Sequence, residues 1–219
     1  VTDPRGPDTP PLWKFDMHVH SVYSGDSLNE PRDIVKSFER SGVIPLVCDH
    51  NRTAGSEVVM HELRTIDPAI PAIMAEEVMT QQGEVVGLFL TGCIPSFLDI
   101  RDTLDAIHDQ GGLALLPHPF CSFRGSTLWE DYRAEVIPAI DIVEGFNGRV
   151  VYAKDNAAAR EFAERNGKPI SVGSDAHRPR DLGRCWLELE PFSTPGELMR
   201  SLRAETVRYR VPDGKTAQE

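Results

Sequence analysis

Five of the seven histidines sit at or just past the end of a candidate strand, four of them in short runs with a carboxylate. His18 and His20 are two residues apart, Asp49 precedes His50, His118 lies between Pro117 and Pro119, and Asp175 and His177 again differ by two. Neutral ring nitrogens and ionised carboxyl oxygens together are the donor set for Zn, Mn or Fe. Asp26, Glu76, Glu77, Glu84 and Glu144 stand near these runs, with Asn147 and Arg149 just beyond Glu144. So many donors exceed the four ligands of a closed structural zinc. A multinuclear catalytic cluster is therefore expected, with a carboxylate such as Glu77 as its bridge. His61 and His108 fall inside helical patterns and are read as ordinary surface residues.

The elements that must position these groups alternate along the chain. Candidate strands are 15–20, 44–49, 72–77, 85–90, 113–117, 141–146, 169–173 and 185–189; candidate helices are 32–41, 56–66, 97–110, 154–166 and 195–203. Ser96 reads as the cap of the third helix, and Thr194 with Glu197 as a capping box for the last. Strand, helix, strand in repetition implies parallel strands joined by right-handed crossovers. About seven units of roughly 30 residues suit a small TIM-like barrel, whose loops at the strand C-termini form one working rim. The runs rich in His and acid fall at those strand ends, so they would converge.

Composition narrows the partners. The 219 residues include 23 Lys+Arg against 34 Asp+Glu, a net charge of -11. This excludes a nonspecific nucleic-acid coat or an anionic-membrane binder, which needs clustered cations. It does not exclude a metal site, because carboxylates that hold divalent ions are counted as uncompensated. No apolar run approaches the roughly 18 residues of a membrane helix. The four cysteines lack metal-type spacing. Free thiols and a cytoplasmic location are expected, with Cys48 and Cys93 as core fillers. Residues 1–12, rich in proline, read as an extended arm, 13–211 as one domain and 212–219 as a loose tail.

The ordered set of motifs resembles the polymerase-and-histidinol-phosphatase (PHP) superfamily. It comprises Asp16-Met17-His18-Val19-His20-Ser21, Asp49-His50, Glu77, Pro117-His118-Pro119 and Gly173-Ser174-Asp175-Ala176-His177, and it spans about Phe15 to His177. The stretch around Asp181-Leu182-Gly183 is similar to the C-terminal extension of small stand-alone members. The resemblance implies a distorted seven-stranded β/α barrel of the PHP type with, typically, three metal ions. It places His18, His20, Glu77 and Asp175 on the first ion, Glu77 and His118 on the second, and His50 and His177 on the third. Asp26 and Glu84 stand where other members have histidine. Added oxygen ligands shift the preference from Zn towards Mn or Fe.

The implied function is phosphoester hydrolysis by a metal-activated hydroxide, with Glu77, His118, Asp175 and His177 as the catalytic set. The substrate would be a phosphorylated small molecule, a nucleotide or a short oligonucleotide. Arginines sit on the same loops as the candidate ligands. Arg149 and Arg124 are the expected phosphate contacts, with Asn147 and Arg178 completing the pocket. Two other classes compete: an amidohydrolase-like metal-dependent hydrolase, and a metal-binding module without catalysis.

Overall fold

The computed structural model describes residues 11–204 and 208–211. The expected tail at 212–219 and most of the arm at 1–12 lie outside these residues. The element order is β1 (Trp13–Val19), α1 (Pro31–Ser41), β2 (Val43–Val47), α2 (Ala54–Ile66), β3 (Ala75–Met79), β4 (Glu84–Leu88), α3 (Ile100–Asp109) and β5 (Leu113–Leu116). Then come α4 (Glu130–Val136), β6 (Ile142–Asn147), α5 (Ala153–Arg165), β7 (Ile170–Gly173), β8 (Trp186–Leu189), α6 (Pro195–Leu202) and β9 (Arg208–Arg210).

The strands form two sheets, ordered β2-β1-β8-β9 and β3-β4-β5-β6-β7. A continuously hydrogen-bonded barrel is not what joins them. The sheets meet through single parallel bridges, Val19 with Ala176 and His50 with Glu77. Main-chain bonds reinforce both meetings: Asp175 N to His18 O at 2.7 Å and Glu77 N to Asp49 O at 3.1 Å. Both joints fall beside the histidine runs, at or just past the ends of β1, β2 and β7 and at the middle of β3. Asn29 clamps the first by donating Nδ2 to the carbonyls of His20 and Ala176.

The all-parallel expectation is corrected. β1 with β2, β5 with β6 and β6 with β7 are parallel, but β4 runs antiparallel to both β3 and β5. Only Thr80 to Gly83 separate β3 from β4, too few for a crossover, so the chain must reverse. Gly83, at φ 139°, makes the reversal: a Cβ there would lie 2.5 Å from the Leu128 backbone. β8 also pairs antiparallel with β1.

Helices cover the outside, and the strands are buried on both faces. Phe15, Met17 and Val19 of β1 pack into one apolar cluster with Ile34, Leu63 and Leu46. The alternate residues Asp16 and His18 are equally buried, on the opposite side. Helix starts follow their caps. Thr194 accepts from Glu197 N, the first half of a capping box, and Glu197 accepts from Ser193 N, one residue before the cap. Ser96 is not a cap. α3 starts three residues later, where Asp99 accepts from Arg101 N. Among the described residues no helix is long and apolar enough to cross a membrane.

Candidate metal centre

The rim collects all nine side chains of the candidate set. Glu77, at the centre, is buried on β3. Its Oε2 lies 3.4 Å from His18 Nε2, 3.2 Å from His20 Nε2 and 3.1 Å from His50 Nδ1, and its Oε1 lies 3.1 Å from His118 Nε2. Glu84 sits 3.6 Å from both His50 and His118. Asp175 Oδ1 lies 3.5 Å from His20 Nε2 and 3.3 Å from His177 Nδ1. Asp26, at the mouth, reaches His177 at 3.1 Å and His50 at 3.7 Å.

Local backbone puts these atoms in place. The β1–β2 ladder slips between Asp16 and Val19, a bulge-type irregularity that spans His18. His118 and Asp175 both hold positive φ, 29° and 52°. Such geometry is costly for a residue with a Cβ and persists only where the surroundings impose it. At His118 the imposing bond is its N–H to Glu144 Oε2, 2.7 Å. At Asp175 it is N–H to the His18 carbonyl.

A further ring of polar groups fixes the ring orientations. Glu144 Oε1 accepts from His18 Nδ1 at 3.0 Å, which leaves His18 Nε2 facing inward. Ser24 Oγ contacts His20 Nδ1 at 2.9 Å and donates to Asp49 Oδ1 at 2.8 Å. Asp49 therefore acts on His20 through Ser24, not directly on His50 beside it. Its other bonds hold Ser21 by N–H and Oγ, each at 2.6 Å. Carboxylate partners behind ligand imidazoles set both tautomer and basicity. Asp16 instead braces the backbone. Its Oδ1 accepts from Ser174 N at 2.7 Å, and burial pushes its carboxyl up to about 7. Glu76 points away and accepts from Ile94 N.

The donor chemistry fits divalent cations. Burial lowers His20 to about 4; against the same burial, Cys48 and Glu144 raise His18 well above the usual imidazole range, and Glu77 raises His50 to about 9. Burial would raise Glu77 and Asp175, but His18 and the neighbouring imidazoles and arginine hold both well below the usual carboxylate range. Two buried oxygens, Glu77 Oε2 and Asp175 Oδ1, make no hydrogen bond. A buried carboxylate oxygen without a hydrogen bond is costly unless a cation faces it; Arg149 Nη1 faces Asp175 Oδ1 at 3.5 Å, whereas imidazoles surround Glu77 Oε2. Ligand atoms close enough to share an ion occur in His18, Glu77 and His118; in His20, His50 and His177; in His50, Glu77 and Glu84; and in His18, His20 and Cys48.

The remaining candidates divide. Arg124 Nη2 reaches Asp175 Oδ2 at 2.5 Å, and Arg149 Nη1 lies 3.5 Å from Asp175 Oδ1 and 2.8 Å from His177 Nδ1. Asn147 lies inside the protein, behind Asp175. It is fully buried, and its Nδ2 donates to Glu144 and Asp175, each at 3.0 Å. Arg178 is exposed and makes no contact with the cluster, because the chain turns outward into Pro179–Asp181. Cys93 is exposed against Thr53 and is no core filler, whereas Cys48 is buried. His61 is exposed, and His108 caps Asp141 on the outer surface at 2.9 Å. Ser24 and Asn29 carry no signal in a single sequence, since their partners are brought in by distant strands.

Residues 153–207 match the family described as PHP-associated. An uncharacterised protein of Methanocaldococcus jannaschii, MJ0417, is 33% identical over 204 residues, covering 88% of this chain and 80% of its own. Among solved structures, a two-domain protein from Bacteroides vulgatus containing a predicted PHP-like metal-dependent phosphoesterase superposes with a TM-score of 0.74 at 18% identity, over 93% of this chain and 67% of that one. The lesion-specific endonuclease PfuEndoQ of Pyrococcus furiosus gives 0.64 at 16% identity, over 90% of this chain and 57% of that one. With the ordered motifs at one rim, this chain belongs to the PHP superfamily.

Proposed function

We propose that the chain is a metal-dependent phosphoesterase that hydrolyses a phosphate monoester, a nucleotide or a short oligonucleotide. The observation that carries this reading is the convergence of the buried Glu77 and Asp175 carboxylates, with Glu77 Oε2 in no hydrogen bond, on five imidazoles. His18, His20, Glu77 and Asp175 would hold a first ion, Glu77, Glu84 and His118 a second, and His50, His177 and Asp26 a third. The mixed oxygen and nitrogen donors favour Mn or Fe over Zn. Bound there, divalent ions supply Lewis acidity and a water of lowered pKa.

The chain's own residues supply the rest. Arg124 and Arg149 stand at the mouth beside Asp175, where their guanidinium groups can pair with phosphoryl oxygens. They give an acidic protein a local anion site. Glu144 and Asp49 hold His18 and His20 in place through the turnover. Asp26, half exposed at the entrance, lies 3.1 Å from His177 Nε2, where it completes the third set. Among the described residues no lysine joins the cluster, so the carbamylated-lysine bridge of many amidohydrolase-type sites has no candidate here. Among the structural neighbours, one is named a phosphoesterase and one an endonuclease, which favours this bond class, while another, from Chromobacterium violaceum, is named an amidohydrolase.

The test is to strip the protein with chelator, restore Mn, Fe(II) or Zn, and assay p-nitrophenyl phosphate, its bis-ester and nucleotides. Metal-restored turnover of a phosphoester supports the reading. Full metal loading with no turnover on any of them overturns it.

A further inference from the structure

Cys48 stands outside the nine candidate ligands, yet its thiol lies among them. It directly follows β2 and precedes His50 by two residues. The backbone there continues the strand pattern. Cys48 N donates to the Val19 carbonyl at 3.0 Å, and on the other side Asp49 O accepts from Glu77 N at 3.1 Å. Residues two apart on such a segment share a face, so Cys48 points inward with His50. Its Sγ and ring nitrogens of His18 and His20 all lie within 4.8 Å of one another. Nitrogen and sulfur donors on one zinc-type ion stand no more than about 4.4 Å apart, so the three are at or near the span of a single ion.

The thiol faces donors that carry lone pairs. Glu144 takes the Nδ1 hydrogen of His18. Ser24 gives its own hydrogen to Asp49 and accepts from Nδ1 of His20. With each ring in the neutral form that a ligand takes, both Nε2 atoms therefore present lone pairs, and they face each other at 3.0 Å. Glu77 Oε2, buried and without a hydrogen bond, lies 3.4 and 3.2 Å from the same two atoms. Cys48 is fully buried, and one side of it packs with the apolar cluster of β1 and β2. Its contact with the Val19 carbonyl, at 3.9 Å, engages the S–H hydrogen and not the sulfur lone pairs.

Resting on the metal-centre part of the reading above, we propose that Cys48 is a further ligand of the first ion, beside His18, His20, Glu77 and Asp175. It binds as thiolate, its proton passing to solvent as the sulfur–metal bond forms. Among the described residues it is the one soft donor in a cluster otherwise built from nitrogen and oxygen, so it makes the ions inequivalent. The first position then prefers Zn to Mn, whereas the positions at Glu84 and Asp26 keep the preference for Mn or Fe.

The test titrates Co(II) into the chelator-stripped full chain and follows the near-ultraviolet sulfur-to-cobalt charge-transfer band. The band grows with bound cobalt and disappears in Cys48→Ser and Cys48→Ala. It persists in the triple variant Cys93→Ser, Cys121→Ser, Cys185→Ser, where Cys48 is the one remaining thiol. Zn affinity, by competition with a chromophoric chelator, falls about tenfold or more in Cys48→Ala, at least the loss that removing a supporting partner brings, while Mn affinity changes less. Bound cobalt without the band in the wild type, or a band that survives both Cys48 variants, overturns the proposal and leaves the phosphoester reading standing. A lowered Tm of the stripped Cys48→Ala protein with spectrum and Zn affinity unchanged makes Cys48 a core filler and also overturns it. Failure of the wild type to bind Co(II), Zn or Mn sinks both claims. The band in the wild type with no phosphoester turnover upholds the ligand and sinks the phosphoesterase reading.

Discussion

Glu144 holds His18 with one carboxylate oxygen and the backbone of His118 with the other. The distances are 3.0 Å to His18 Nδ1 and 2.7 Å to His118 N. A single side chain on β6 therefore sets the ring direction of one candidate ligand and the positive-φ backbone of another. Replacing it with glutamine keeps the volume but puts an NH2 group either against His18 Nδ1 or against His118 N and Asn147 Nδ2. Glu144→Gln should weaken metal binding about 10- to 100-fold, the usual range for such supporting partners. Competition with a chromophoric chelator measures this, and unchanged affinity would show that Glu144 is only a packing element.

Gly173 is required by close approach. A Cβ there would lie 2.3 Å from His18 Cβ and 2.6 Å from Glu144 Oε1. Gly173→Ala must push β1 and β7 apart at the site, at a cost of about 1–3 kcal/mol, or roughly 2–12 °C in Tm. Gly92→Ala, which meets nothing within 4 Å, is the control and should leave Tm within about 2 °C. Equal thermal shifts for the two variants would contradict the packing account.

Metal should stabilise the folded chain, because the converging carboxylates repel one another without it. Ions at a hundred times their dissociation constant add about 2.7 kcal/mol. That corresponds to a rise in Tm of about 5–10 °C over the chelated protein. Differential scanning calorimetry reads it directly. No shift under saturating Mn, Fe(II) and Zn would mean that the cluster is satisfied by its own hydrogen bonds.

Arg149 and Arg178 lie on loops at the same rim but differ in direction. Arg149 points to Asp175 and His177, whereas Arg178 faces solvent. Arg149→Ala should raise KM for a phosphoester about tenfold or more, the scale of a lost charge-assisted bond. Arg178→Ala should leave KM unchanged. The opposite ranking in steady-state kinetics would place phosphate on the other side of the rim.

The contrast between these arginines marks what a sequence can carry. The spacing of His18 and His20 puts both on one face of an extended segment, and Asp175 falls just past a strand end as expected, whereas Glu77 lies at the middle of β3 rather than at the end of a strand over 72–77. The first two are local properties of the β pleat. Strand direction is not local. β4 reads like any other apolar strand, and only the shortness of the Thr80 to Gly83 turn forces its reversal. α4, over Glu130–Val136, escaped because its seven residues show too little period to stand out from a loop. The cap of α3 moved from Ser96 to Asp99 because Phe97 takes positive φ and cannot lie in the helix. Support from Glu144 to His18 and from Asp49 through Ser24 to His20 joins residues 126 and 25 apart in its long steps, respectively. Side-chain type alone cannot tell such a support from a ligand or a substrate contact. Asn147 shows this most clearly, since its amide is consumed by Glu144 and Asp175 inside the protein.

The central claim is that the side chains gathered around Glu77 form a metal centre that cleaves phosphoesters. Phosphoester turnover, followed while metal is titrated into chelator-stripped protein, tests it most directly. Turnover should rise in step with bound metal and vanish in Glu77→Ala. Full turnover in the stripped protein, or undiminished turnover in Glu77→Ala, would contradict the claim.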